Sequence, residues 1–226
     1  LTSVTSSLEK AAIYLAECRA IGIEVTVPDV NRSLSDFAPV APDQLGDGAT
    51  ADAGSGQILF GLSAVRNVGE GLVEMVLAER DQNGPFEDFY DFCQRVNTQV
   101  LNKRTIESLI KAGGFDSMGH PRQGLLTVFE QIVDATIARR KEHDMGVMSL
   151  FGEAEDGPAF DEKVKIPDVE FDKKQRLAFE KEMLGLYVSD HPLLGAEQAL
   201  KRKVDCTIVE LNDLDDGTQR TIGGVI

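Results

Sequence analysis

Apolar residues recur at helical spacing along most of the chain and alternate in only a few short stretches. Leu8, Ala11, Ala12, Leu15 and Cys18 form one stripe, with Ser6 and Glu9 ahead of it as a capping box and Gly22 as its stop. Ile23 to Val27 alternates as a strand does and halts at Pro28. From Ser33 to Gly56 the chain is rich in Asp, Ala, Gly and Pro, which predicts an irregular loop. Leu72, Val73, Val76 and Leu77 then predict a helix to Arg80, ended by Asn83-Gly84-Pro85. Phe86, Phe89 and Phe92 recur every third residue as a buried aromatic ridge on a helix. Ile106, Leu109 and Ile110 mark a helix over Leu101 to Ala112 that stops at Gly113-Gly114. A longer helix, Pro121 to His143, carries Leu125, Leu126, Phe129, Ile132 and Val133, with Pro121 suited to its first turn. Gly152 to Pro167 reads as an acidic linker. Helices follow at Phe171 to Leu184 and Gly195 to Lys203, and Thr207 to Ile226 has strand character around the turn Asp215-Asp216-Gly217.

Composition narrows the function classes. In 226 residues, 42% of them hydrophobic, no apolar run approaches the ~20 residues of a membrane span. The first residues lack the basic region, apolar stretch and cleavage site of a signal peptide, so none is expected. Leu1 stands where an initiator Met would, so the chain is expected to be part of a longer one. Cys18, Cys93 and Cys206 share no zinc-site spacing with His120, His143 or His191. Reduced thiols in a cytoplasmic protein are expected. The net charge of −15 argues against a surface coated by nucleic acid, but Gly61 to Lys141 holds 10 Lys/Arg against 11 Asp/Glu. That nearly neutral middle permits a local anion-binding face.

The sharpest motif lies there. In Phe60 to Gly71, FGLSAVRNVGEG, a short helix at Leu62 to Arg66 runs into Val68-Gly69-Glu70-Gly71, and a new helix begins. Bare amides and the dipole at that helix start make a phosphate site that reads no base. Arg66 and Asn67 stand beside it. A second unit, Leu101 to Gly119, turns at Gly113-Gly114 without the Gly-x-Gly spacing and brings Lys103, Arg104, Lys111 and Arg122. Two such units can straddle a minor groove. The alternative for each is a plain turn between packed helices with lysines on a solvated face.

YLAECRAIGIEVTVPDVNRS (Tyr14 to Ser33), FGLSAVRNVGEG, LNKRTIESLIKAGGFDSMG and EKEMLGLYVSDHPL (Glu180 to Leu193) resemble consecutive blocks of the bacterial DNA polymerase III alpha subunit, most closely the actinobacterial type. The resemblance implies a mainly α fold in four parts. Residues 1–57 would be the end of a fingers domain plus a loop, with Pro28 to Ser33 lying toward nucleic acid. Residues 58–152 would be a tandem helix-hairpin-helix domain on duplex DNA. Residues 153–206 would be acidic linker and helices, and residues 207–226 the start of a truncated, β-containing OB-fold.

MGVMSLFG, Met145 to Gly152, is similar in place to the family's internal sliding-clamp motif. It offers Leu150 and Phe151 as anchors beside Met148, with Val147 where the family has Gln. The resemblance implies DNA-directed DNA polymerase activity with Mg²⁺ for the whole subunit. The acidic block of the palm is absent here, so no catalytic residue, metal ligand or cofactor is expected and the segment should be inactive alone. Implied partners are duplex DNA, the sliding clamp (beta subunit), and the remaining subunit and holoenzyme; a monomer without membrane contact is expected. The rival reading is a clamp- or protein-interaction segment whose hairpins are structural.

Overall fold

The computed structural model describes residues 8–40, 56–144, 164–190, 193, 197–207, 210–215 and 217–224. The chain divides into two compact units, Leu1–Val188 and Ser189–Ile226. The first is mainly helical, with α1 (Leu8–Ala20), α2 (Glu70–Asn83), α3 (Phe89–Arg95), α4 (Lys103–Ala112), α5 (Arg122–Asp144) and α6 (Lys173–Leu184). Among the described residues, no helix is long and apolar enough to cross a membrane. Ser6, half of the expected capping box, lies outside the described residues. Gly22 does adopt the left-handed conformation that stops α1, with φ 78°.

One small sheet precedes the hairpins. Strands β1 (Glu24–Thr26), β2 (Ala38–Val40) and β3 (Gln57–Leu59) stand in the order β1-β3-β2, with β3 parallel to β1 and antiparallel to β2. The expected irregular loop thus contains a strand. Pro39 masks it in the sequence, and it is tolerated because β2 is an edge, where a missing N–H breaks no central ladder.

The aromatic ridge forms the centre of the core. Phe89 and Phe92 are fully buried and meet Phe115 edge-on at 5.1 and 4.9 Å. Phe86 meets Phe92 at 5.0 Å, and Arg95 covers the Phe86 ring at 4.6 Å. Phe86 is extended rather than helical, because the Asp88 carboxylate accepts from the Asp91 amide and starts α3 only there. Helix α4 follows from its sequence directly: Asn102 caps the first turn, Ile106, Leu109, Ile110 and Ala112 bury one face, and Gly113 at φ 92° ends it.

Pro28 to Ser33 turns inward. The Val30 amide donates to the Gly114 carbonyl at 3.0 Å. Asn31 exchanges two hydrogen bonds with the Phe86 backbone, both 2.8 Å, and Arg80 binds the Val30 and Ser33 carbonyls. Asn31 and the Val30 and Ser33 carbonyls thus fasten this segment to the hairpin region, while Arg32 stays exposed. Helix α6 belongs to the same unit, through Glu180 and the Met183 carbonyl, which accepts from the Arg66 amide.

The second unit contains α7 (Glu197–Lys201) and a 3-10 turn, Glu210–Asp213. The strand character expected for Thr207 to Ile226 does not appear among the described residues. A local signal wins: Thr207 and Glu210 bond reciprocally, amide to carboxylate at 2.7 Å and amide to hydroxyl at 3.3 Å. That exchange is the capping pattern of a helical turn.

Candidate nucleic-acid interface

The first hairpin is pinned on one side and bare on the other. A 3-10 turn, Leu62–Ala64, leads into Val65 and Val68, both buried. Between them Asn67 takes φ 65°, a region that Asn tolerates better than most residues. Its side-chain amide donates to the Ser108 hydroxyl at 3.0 Å, and its carbonyl accepts from the Thr105 hydroxyl at 3.2 Å. The turn is thereby fixed to α4 and Asn67 is occupied. Ser108 in turn donates to the Arg104 carbonyl, and Arg104 and Arg66 are both exposed.

Immediately after Val68, the chain opens to solvent. Gly69, Glu70 and Gly71 are exposed, and Gly69 starts α2 with an extended backbone and no side-chain cap. The Leu72 and Val73 amides both return to the Gly69 carbonyl, at 3.0 and 3.1 Å. The amides of Gly69, Glu70 and Gly71 meet no acceptor among the described residues. A Cβ on Gly69 or Gly71 would touch nothing within 4 Å, and neither residue has a positive φ. The fold itself therefore needs no glycine at either position; what the two glycines do is leave the amides uncovered.

The starts of α3, α4, α5 and α6 are closed. Side chains of Asp88, Asn102 and Asp172 accept from the first-turn amides of α3, α4 and α6. At α5 the Glu170 carboxylate accepts from the Arg122 amide at 2.9 Å and the Gln123 amide at 3.4 Å, and the Val169 carbonyl takes the Gly124 amide at 3.0 Å. Of α2 to α6, the five helices whose preceding residue is also described, α2 alone lacks a side chain on its first amides.

The basic residues of the second hairpin are turned to internal partners. Arg122 is buried, bonded to Asp116 at 2.6 Å and to the buried Glu180 at 3.3 Å, and it cannot meet a phosphate without leaving both. Lys111 pairs with Glu107 and lies over the Phe179 ring. Lys103 pairs with Glu130 and Asp134 at the surface, where such pairs exchange at little cost. Gly113 and Gly114 are buried: a Cβ on Gly113 would collide with the Arg122 guanidinium, and one on Gly114 would lie 3.2 Å from the Leu109 carbonyl. Arg122, Gly113 and Gly114, read from the sequence as phosphate contacts, are internal supports of the fold. The sequence missed Glu170, whose partners lie 48 and 47 residues away and leave no local signal.

Val147, Met148, Leu150 and Phe151 lie outside the described residues. Burial pushes the Cys93 thiol up to about 12, so it stays protonated and unreactive at neutral pH. Among the described residues, no group of His, Cys, Asp and Glu is arranged to hold a metal ion.

A family model described as a helix-hairpin-helix motif matches residues 22–125. The DNA polymerase III subunit alpha of Mycobacterium tuberculosis (strain CDC 1551 / Oshkosh) is 42% identical over 233 residues, covering 100% of this chain and 18% of that protein. That of Mycobacterium leprae (strain TN) is 42% identical over 228 residues, with the same coverage. The Thermus aquaticus subunit is 40% identical over 205 residues, covering 91% of this chain and 15% of its own length. The chain thus spans less than a fifth of the curated relatives it matches.

Proposed function

The chain belongs to the DNA polymerase III alpha subunit family, and from that premise we propose that it holds duplex DNA by its backbone phosphates during replication. The observation that carries the reading is the uncapped start of α2, where Gly69, Glu70 and Gly71 present bare, exposed amides. Unpaired amides with a helix dipole behind them attract anions and read no base. The exposed Arg66 and Arg104 supply cationic side chains. Contacts of this kind make binding independent of sequence and steeply dependent on salt.

The rest of the proposed role follows the family. The segment acts as part of a DNA-directed DNA polymerase whose nucleotidyl transfer, with Mg²⁺, belongs to other parts of the subunit; alone it is inactive. Leu150 and Phe151, with Met148 and Val147, tether the subunit to the sliding clamp, and the setting is the bacterial cytoplasm. A second reading has one observation behind it. The second hairpin is sealed by its own carboxylates, which favours a module in which hairpins serve partly as structural connectors.

Fluorescence anisotropy with labelled duplex and single-stranded DNA at low and moderate salt tests the proposal, beside a Gly69→Glu, Gly71→Glu double variant. Hydrogen bonds to charged groups are worth about 1.5–3 kcal/mol. The variant should therefore lose about tenfold or more in duplex affinity while its circular dichroism stays helical. Undiminished duplex binding by a folded variant would refute the phosphate role and leave the hairpins as connectors.

A further inference from the structure

We infer that Glu180 is a positioning residue for the first hairpin. Its pairing with Arg122 fixes the register of α6, whose Met183 carbonyl holds the Arg66 amide just ahead of the start of α2. This role rests on reading the first hairpin as the duplex grip, and it lies outside the matched helix-hairpin-helix residues, 22–125.

The turn before α2 is held from two sides. Helix α4 supplies Ser108 and Thr105, which fasten Asn67. Helix α6 supplies the Met183 carbonyl, which accepts from the Arg66 amide at 2.9 Å. Met183 lies in the last turn of α6, where carbonyls have no partner within the helix. The Arg66 amide satisfies one of them, although Arg66 itself is exposed. Without Met183 in place, that amide would face water.

Apolar packing alone specifies the position of α6 along its axis only loosely. Leu177, Met183 and Leu184 are buried, but apolar contacts are non-directional. Glu180 removes that freedom. It lies one turn before Met183, its side chain is 1% exposed, and its carboxylate meets the Arg122 guanidinium at 3.3 Å. Arg122 is fixed in turn by Asp116 at 2.6 Å and by the Lys111 carbonyl at 3.3 Å. A slip of one residue would carry α6 by about 1.5 Å and turn it by about 100°. The ion pair and the Met183–Arg66 bond would break together. For stability alone, apolar residues of similar volume often serve as well as a buried ion pair, whose attested use is to specify register. The buried Glu180 therefore marks a place where the position of the helix matters.

Amide hydrogen exchange and duplex anisotropy on the whole chain test this role in Glu180→Leu and Glu180→Gln. Leucine removes the pin and keeps apolar packing, whereas glutamine keeps an acceptor for Arg122. In Glu180→Leu the Arg66 amide should exchange about tenfold faster, with Ile106, Leu109 and Ile110 of α4 changed far less. Duplex affinity should fall several-fold. Glu180→Gln should stay close to the wild type in both readouts. If Glu180→Leu does not fold, the Arg122→Met, Glu180→Leu double variant removes both buried charges and is read in the same way.

A purely structural role would speed Arg66 and the α4 amides equally, through global unfolding, and that result would overturn the inference. So would wild-type exchange at Arg66 in a folded variant, or faster exchange with undiminished duplex affinity. Duplex binding that survives Gly69→Glu, Gly71→Glu would sink the first-hairpin reading itself. Binding lost there, beside a Glu180→Leu chain that matches the wild type, would sink the positioning role alone.

Discussion

Val68-Gly69-Glu70-Gly71 and Ala112-Gly113-Gly114-Phe115 are both glycine turns that lead toward a helix, and their glycines serve opposite ends. In the first turn the glycines have open space around the missing Cβ and ordinary backbone angles, and the amides behind them are bare. In the second, Gly113 has φ 92° and is packed on Arg122, and the helix that follows is capped by Glu170. One pair of glycines makes room for something outside the chain; the other makes room for the chain itself. A glycine-rich turn therefore becomes evidence of binding only when the fold has no use for its glycines.

The largest expected effect breaks the second turn. Arg122→Ala leaves the Glu180 carboxylate, 1% exposed, without its guanidinium. Losing one partner of a buried pair costs about 3–5 kcal/mol. Urea unfolding should show that loss, and a loss below about 1 kcal/mol would mean that Arg122 behaves as a surface ion pair.

A smaller contrast sharpens the comparison by making one substitution in each turn. Gly113→Ala forces a Cβ into the left-handed region and against Arg122, and should destabilise by about 1–3 kcal/mol. Gly71→Ala lies in open space on α2 and should stabilise slightly, by about 0.4–1 kcal/mol, while weakening duplex binding. Equal stability effects in the two turns would erase the distinction. Smaller again, Arg66→Gln and Arg104→Gln should each lower duplex affinity by a few-fold and flatten the salt slope by about one. Lys103→Gln, whose ammonium is held by Glu130 and Asp134, should change it least.

Much of this was legible in the sequence because its cause is local. The stripe of Ile106, Leu109 and Ile110 and the Gly113-Gly114 stop placed α4 to within two residues at its start, where the Asn102 cap went unread. The Phe86–Phe89–Phe92 spacing foretold the aromatic centre, although not that Asp88 delays the helix. Gly69 and Gly71 announced a turn and a bare helix start. What the sequence could not reveal depends on partners far along the chain. Arg122 looked like a surface cation until Asp116 and Glu180 enclosed it, and Glu170, between the acidic linker and the next helix, carried no signal. The β2 strand was hidden by Pro39, and the strand character expected after Thr207 gives way, among the described residues, to the Thr207–Glu210 exchange.

The central claim is that phosphate meets the start of α2 and not that of α5. Amide-resolved NMR during titration with a short duplex of arbitrary sequence tests it most directly. The Gly69, Glu70 and Gly71 resonances should shift in a saturable, salt-sensitive way while Arg122, Gln123 and Gly124 stay in place. Shifts confined to Arg122–Gly124, or shared equally by the two helix starts, would contradict the account.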